Sequence, residues 1–395
     1  MKGKQLGAIS LLAGTAIGSG MISLPIVLAN FGIVGSLFLL IFFCWITYVS
    51  AMVRCELNIN SRSDFNLKDV GLLFGGRISA NIGDFTLKTL SFALLSAYIF
   101  GGASIIRSFT STENHFIGIT IAFALVVLFV FLFMSNIIIR INKHTFIALF
   151  SIILIGILCL TISSKISSLP FNCEGIFNLK SWSTVLPVVF TSFGFQGSLH
   201  SLTKFVDNDR KMIKKACLFG SIIPVVVYSL WVICVLTIIF NSDRESFNRM
   251  LTSPIEVSEL IRILSSITKI DVIQHAAWIV SFLAILTSII GVGLSLNEIL
   301  KRDLEKFIEN HNIRHLVSSS LMIVPPSIIA IVVPNAFIRV LSFAGIILAI
   351  IAIILPAFLF TRMRKTISRC DNLKIFAICV VGVVIIILGI LDIFK

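Results

Sequence analysis

Two short runs of glycine and polar residues interrupt otherwise apolar sequence. The first reads Leu11-Leu12-Ala13-Gly14-Thr15-Ala16-Ile17-Gly18-Ser19-Gly20-Met21, with three glycines inside seven residues. The second reads Phe190-Thr191-Ser192-Phe193-Gly194-Phe195-Gln196-Gly197-Ser198. Glycine costs about 1 kcal/mol relative to alanine inside a helix, so each run predicts a helix break. Close helix packing through small residues is the competing reading of either run alone. A break frees N–H groups at the start of the second half-helix, and these carry a partial positive charge. Such a terminus binds a carboxylate without a buried Arg or Lys. Ala16, Gly18, Ser19 and Gly20 stand at that place in the first run. In the second run, freed carbonyls near Thr191, Ser192 and Phe193 are acceptors for an ammonium. Together the two breaks suit a zwitterion, which is a free amino acid. Phe193 and Phe195 suggest a pocket for an aromatic side chain, and Gln196 offers a polar handle to a phenol or indole. Thr287 and Ser288, with Gly291 and Gly293, stand ready to line the pocket or an ion site, or to bond their own helix carbonyls.

Ionisable residues inside apolar segments are functional candidates. Glu56, His200 and Glu298 are the candidates for coupling to an ion, although they fall near segment ends, as do Asp84, Lys88 and Lys204. No acid or base occupies a clear midpoint. No HExxH, nucleophile elbow or intramembrane acid pair argues for an enzyme. The eight cysteines show neither CxxC nor zinc spacing, and no metal or cofactor is expected.

The elements that must carry these residues follow from composition. The chain has 395 residues, of which 57% are hydrophobic and 13% charged, too few charges to clothe a soluble domain. Residues 5–53 contain no Asp, Glu, Lys or Arg, and nine further stretches between 89 and 391 are charge-free. A helix needs roughly 20 apolar residues to cross the hydrocarbon, and unpaired amides are not tolerated there. The expectation is an all-α polytopic membrane protein with eleven transmembrane helices near 6–28, 33–55, 84–106, 116–138, 144–164, 182–204, 216–240, 273–298, 316–334, 337–360 and 374–393.

The net charge of +13 does not imply nucleic acid. With the N-terminus inside, alternation puts 23 of the 32 Lys and Arg on the inner side and 9 on the outer. That is the positive-inside pattern. It places the N-terminus in the cytoplasm and the C-terminus outside. The first segment is read as an uncleaved helix, because the apolar pattern resumes at once after its small residues. Five spans separate the starts of the two interrupted helices. An odd repeat length forces two halves, about 6–164 and 182–360, into opposite orientations, with 374–393 as an extra helix. Interrupted helices at matching places in two such halves point to an inverted-repeat transporter. A channel, or a sodium-coupled carrier for another neutral amino acid, is the alternative.

The run Ala13–Met21 followed by Leu24-Pro25 resembles the first helix of the hydroxy/aromatic amino acid permease family, and Phe190–Ser198 looks like that family's sixth-helix signature. Gly220-Ser221 with Ile223-Pro224, Thr287-Ser288 with Gly291-Val292, and the surroundings of Glu56 extend the similarity. The resemblance covers essentially the whole chain. It implies a LeuT-type fold of the amino acid/polyamine/organocation superfamily, with five-plus-five inverted repeats. It also implies proton-driven uptake of an aromatic amino acid through a bacterial inner membrane, with sodium as the alternative ion. The tyrosine-transporting pattern has His where this chain has Gln196, and His titrates whereas Gln does not. Tryptophan therefore stands beside tyrosine as an expected substrate.

Overall fold

A computed structural model describes residues 2–18, 20–61, 66–110, 115–133, 151, 168–171, 174–252, 255–267, 271–333, 336–364 and 369–394. All regular structure among them is helical. The helices are α1 (Lys2–Ala16), α2 (Gly20–Leu28), α3 (Gly32–Asn60), α4 (Leu67–Thr110), α5 (Phe116–Phe133), α6 (Leu179–Ser192), α7 (Leu199–Phe205) and α8 (Arg210–Ser242). They continue as α9 (Arg244–Thr252), α10 (Val257–Ile267), α11 (Asp271–Leu304), α12 (His311–Val332), α13 (Ala336–Ala349), α14 (Leu355–Met363) and α15 (Arg369–Ile393). Among the described residues, eight helical segments are long and apolar enough to cross a membrane. That makes the chain a polytopic helical membrane protein. The expected first and sixth spans are each split into shorter helices, α1 with α2 and α6 with α7, by the glycine-rich runs. The expected fifth span, 144–164, lies outside the described residues, apart from 151.

Local chemistry explains several boundaries. Asn178, Asp209 and Asn310 cap α6, α8 and α12 by accepting backbone N–H bonds with their side chains. Asp207 and Asn208 turn the chain before α8 with φ of 50° and 57°, a region that Asp and Asn tolerate. Helix α4 reaches further toward its N-terminus than expected and bends at Gly76, whose φ is 80°. The connection between the expected spans 216–240 and 273–298 carries α9 and α10. Each lays an apolar stripe on the bundle: Phe247 and Met250 from α9, and Val257, Leu260, Ile261 and Leu264 from α10.

Ion pairs sort the loops into two faces. One face gathers Lys4–Asp207, Glu56 with Arg210 and Arg364, Lys68 and Lys88 with Asp84, and Arg302–Asp69. The opposite face gathers Arg107–Glu256 at 3.0 Å, Arg249–Glu259 at 3.3 Å, and Asp392, which accepts from Thr184 and Ser342. The described chain leaves the first face at the end of α5, where the Leu132 carbonyl meets His315. It resumes on the opposite face at Ser168, which exchanges bonds with Asn241 at the end of α8.

Candidate substrate site

The two interrupted helices cross antiparallel at their breaks. The half-helix α2 packs on α6, and α1 packs on α7. In the first break the Ile17 N–H still reaches the Ala13 carbonyl, and the Met21 N–H bonds the Gly18 carbonyl. Among the described residues, no backbone N–H is bonded to the Ala16 carbonyl. In the second break Gly194 N–H bonds Thr191 O at 2.9 Å, Phe195 N–H bonds Phe193 O at 2.8 Å, and a 3-10 turn at Gln196–Ser198 leads into α7. This consumes the Thr191 and Phe193 carbonyls and leaves Ser192 O facing the first break.

A residue that sequence reasoning missed joins the two. Tyr228 of α8 is fully buried. Its hydroxyl lies 2.7 Å from Ala16 O and 2.9 Å from Ser192 O. Its ring meets Phe193 edge-on, with centroids 5.6 Å apart. A methyl group built on Gly20 would sit 2.6 Å from this ring and 2.9 Å from Ser192 Cβ, and one on Gly18 would overlap the Ser288 hydroxyl. Both glycines are therefore needed for close approach, though to protein side chains in this arrangement.

One turn along α8, Trp231 donates its indole N–H to Met21 O. The reason is local. Pro25 stands four residues after Met21 inside α2 and has no N–H to give. Two signals in the sequence could have found this pair. The chain has only three Tyr and four Trp, and buried phenol and indole groups need hydrogen-bond partners.

The remaining candidates divide. Thr287 and Ser288 both donate to Ala284 O at 2.9 Å, within their own helix, while Ser288 also packs the first break. Thr191 donates to Pro187 O and to Leu341 O of α13. Phe193 belongs to the main core, whereas Phe195 packs in a second cluster with Ala8, Leu12, Ala16 and Leu199 on the α1 side. The two rings are not walls of one pocket here. Gln196 reaches Ser50 of α3 at 3.4 Å, and its buried side-chain oxygen meets no donor among the described residues. Glu56 sits at a face, 3.6 Å from Arg210 and 3.8 Å from Arg364, and Glu298 is exposed. The side chains of Ser19 and His200 lie outside the described residues. On the Asp392 face a cleft of about 660 Å³ is lined by Val27, Asn30, Phe100, Glu256, Arg339 and Asp392, among others.

These features define a polytopic helical membrane protein whose closed polar centre is made of backbone groups at two helix breaks. The chain belongs to the tryptophan/tyrosine permease family, whose sequence pattern matches residues 1–394. It is 29% identical to the tyrosine-specific transport system 1 of Haemophilus influenzae, over 97% of this chain and 95% of the relative. It is 31% identical to a tryptophan-specific transport protein of Pseudomonas aeruginosa, over 91% of this chain and 86% of the relative. Glutamine transporter 2 of Aliivibrio fischeri is 27% identical over 92% of this chain and 90% of the relative.

Proposed function

We propose that this chain is a secondary active transporter that imports an aromatic amino acid, tyrosine first and tryptophan second, across the bacterial inner membrane. The observation that carries the reading is the convergence of Ala16 O and Ser192 O on one buried point at the crossing of the two breaks, beside the start of α2 at Gly20. Two acceptors in a buried place answer an ammonium, and the N-terminus of α2 beside them answers the carboxylate of a zwitterion. Membership of a family with tyrosine- and tryptophan-specific relatives supports the substrate class. The cleft on the Asp392 face is the approach from outside.

The architecture in this reading is the LeuT-type inverted repeat, 6–164 and 182–360, with eleven spans and α15 as the extra helix. The antiparallel crossing of the interrupted helices supports it. So does the change of face between Phe133 and Ser168. The basic face is cytoplasmic by the charge rule, which puts the N-terminus inside and the C-terminus in the periplasm. The coupling ion is the proton, as the family resemblance implies.

The test is uptake of radiolabelled tyrosine into proteoliposomes under an imposed pH gradient, with tryptophan, phenylalanine, leucine and glutamine as competitors. Tyrosine uptake should collapse with an uncoupler and be blocked best by the aromatic competitors. Uptake that needs sodium and survives the uncoupler overturns proton symport. The glutamine-transporting relative favours a second reading, a carrier for a polar neutral amino acid. Glutamine competing better than tryptophan would select it.

A further inference from the structure

The Tyr228 hydroxyl closes both helix breaks, but its proton count does not match the groups it meets. A phenol has one proton, and two carbonyls, Ala16 O and Ser192 O, lie within 2.9 Å of its oxygen. An ammonium has three protons and would satisfy both at once. Tyr228 is thus poised on the two carbonyls that would receive the zwitterion's ammonium. Its ring is held by Phe193 and by the missing side chain of Gly20, and the residue is wholly buried.

We propose that Tyr228 is a tethered stand-in for the substrate's ammonium, which closes the two breaks in the empty carrier and withdraws when substrate binds. The proposal rests on the reading of the breaks as the zwitterion site. Its physical basis is that net transport requires the empty carrier to cross back. Doing so with two bare carbonyls buried at the centre is costly. The Tyr228 hydroxyl supplies a donor at that step and competes with substrate at the binding step. It therefore weakens apparent affinity and speeds the return.

The experiment compares net uptake with exchange in proteoliposomes holding Tyr228→Phe, normalised to inserted protein. The variant keeps the ring and its contact with Phe193. Net uptake of labelled tyrosine into empty vesicles needs the empty return. Exchange against saturating internal tyrosine does not. Net uptake should fall at least about tenfold, exchange should stay within about twofold, and the KM for exchange should drop by about three- to tenfold, the range one hydrogen bond spans. Equal loss of both modes, or no change in either, overturns the proposal.

Trp231→Phe removes another α8 donor to the broken helix, and it should lower both modes together. If it reproduces the exchange-sparing pattern, the effect is general to α8 and the proposal fails. The underlying reading fails separately if, in the unaltered protein, 3-(4-hydroxyphenyl)propionate, which lacks the ammonium, competes as well as phenylalanine.

Discussion

At the residue scale the decisive contacts are those of glycine with tyrosine. Gly20 is legible as a break residue, but the side chain that uses its missing Cβ is Tyr228, 2.6 Å from where a methyl group would stand. Tyr228 comes from 208 residues further along the chain, and no spacing rule connects the two. Gly20→Val should abolish tyrosine uptake while leaving the protein inserted, because it drives into a buried ring and into Ser192. Overpacking of that kind costs about 1–3 kcal/mol, enough to separate the breaks without unfolding the bundle. Membrane-fraction immunoblots measured beside uptake would check this, and normal uptake would sink it. In the unaltered protein, tyramine should compete poorly with tyrosine, because it lacks the carboxylate that Gly18 and the start of α2 are proposed to hold. Tyramine displacing tyrosine as well as phenylalanine does would remove the carboxylate site.

At the element scale the interrupted helices are kept open by neighbours that replace their lost hydrogen bonds. Pro25 deprives Met21 O of its donor, and Trp231 restores one. Burying an unsatisfied carbonyl costs about 1–3 kcal/mol, so Trp231→Phe should lower thermal stability in detergent. In a Pro25→Ala background the backbone gains an N–H at that position, which can serve Met21 O within the helix. The Trp231→Phe penalty should then shrink by about 1 kcal/mol, which a double-mutant cycle on melting curves would read. Additive effects would mean that the two residues act independently. The close seat of α6 against α13 has a similar local cause. A methyl group on Gly345 would overlap Pro187 O, so a larger residue there would push the sixth span's first half away from the bundle.

At the scale of the whole molecule, the two faces are assembled from segments far apart in sequence, and the cytoplasmic side proposed for the basic face is open to a direct test. Cys217 is a poor reporter of sidedness, since it is buried with its sulfur 3.8 Å from that of Cys55. Single cysteines at exposed positions serve better. With Cys173 replaced by Ser, Asn248→Cys should react with an impermeant maleimide in intact cells, and Lys214→Cys should react only after lysis. The reverse pattern would invert the topology. The lipid-facing surface agrees with a membrane setting: Leu125, Val126 and Phe129 of α5 and Val383, Val384 and Ile387 of α15 are all exposed, an apolar area that a water-soluble monomer does not carry.

By itself the sequence determined the class, the two break points and most span positions. Hydrophobic length and glycine clusters are local properties that act wherever the chain goes. The helical caps at Asn178, Asp209 and Asn310 and the short helices α9 and α10 emerged only with the structure. Only the tertiary structure decided which groups meet at the breaks. Phe193 and Phe195 are two residues apart, yet the 3-10 turn sends them to different clusters. Thr287 and Ser288 satisfied their hydroxyls within α11, a choice that depends on what lies opposite. Tyr228 and Trp231 looked like ordinary residues of an apolar span. They became partners of Ala16, Ser192 and Met21 because a buried donor must find an acceptor, and the acceptors it found belong to helices that packing alone brought to it.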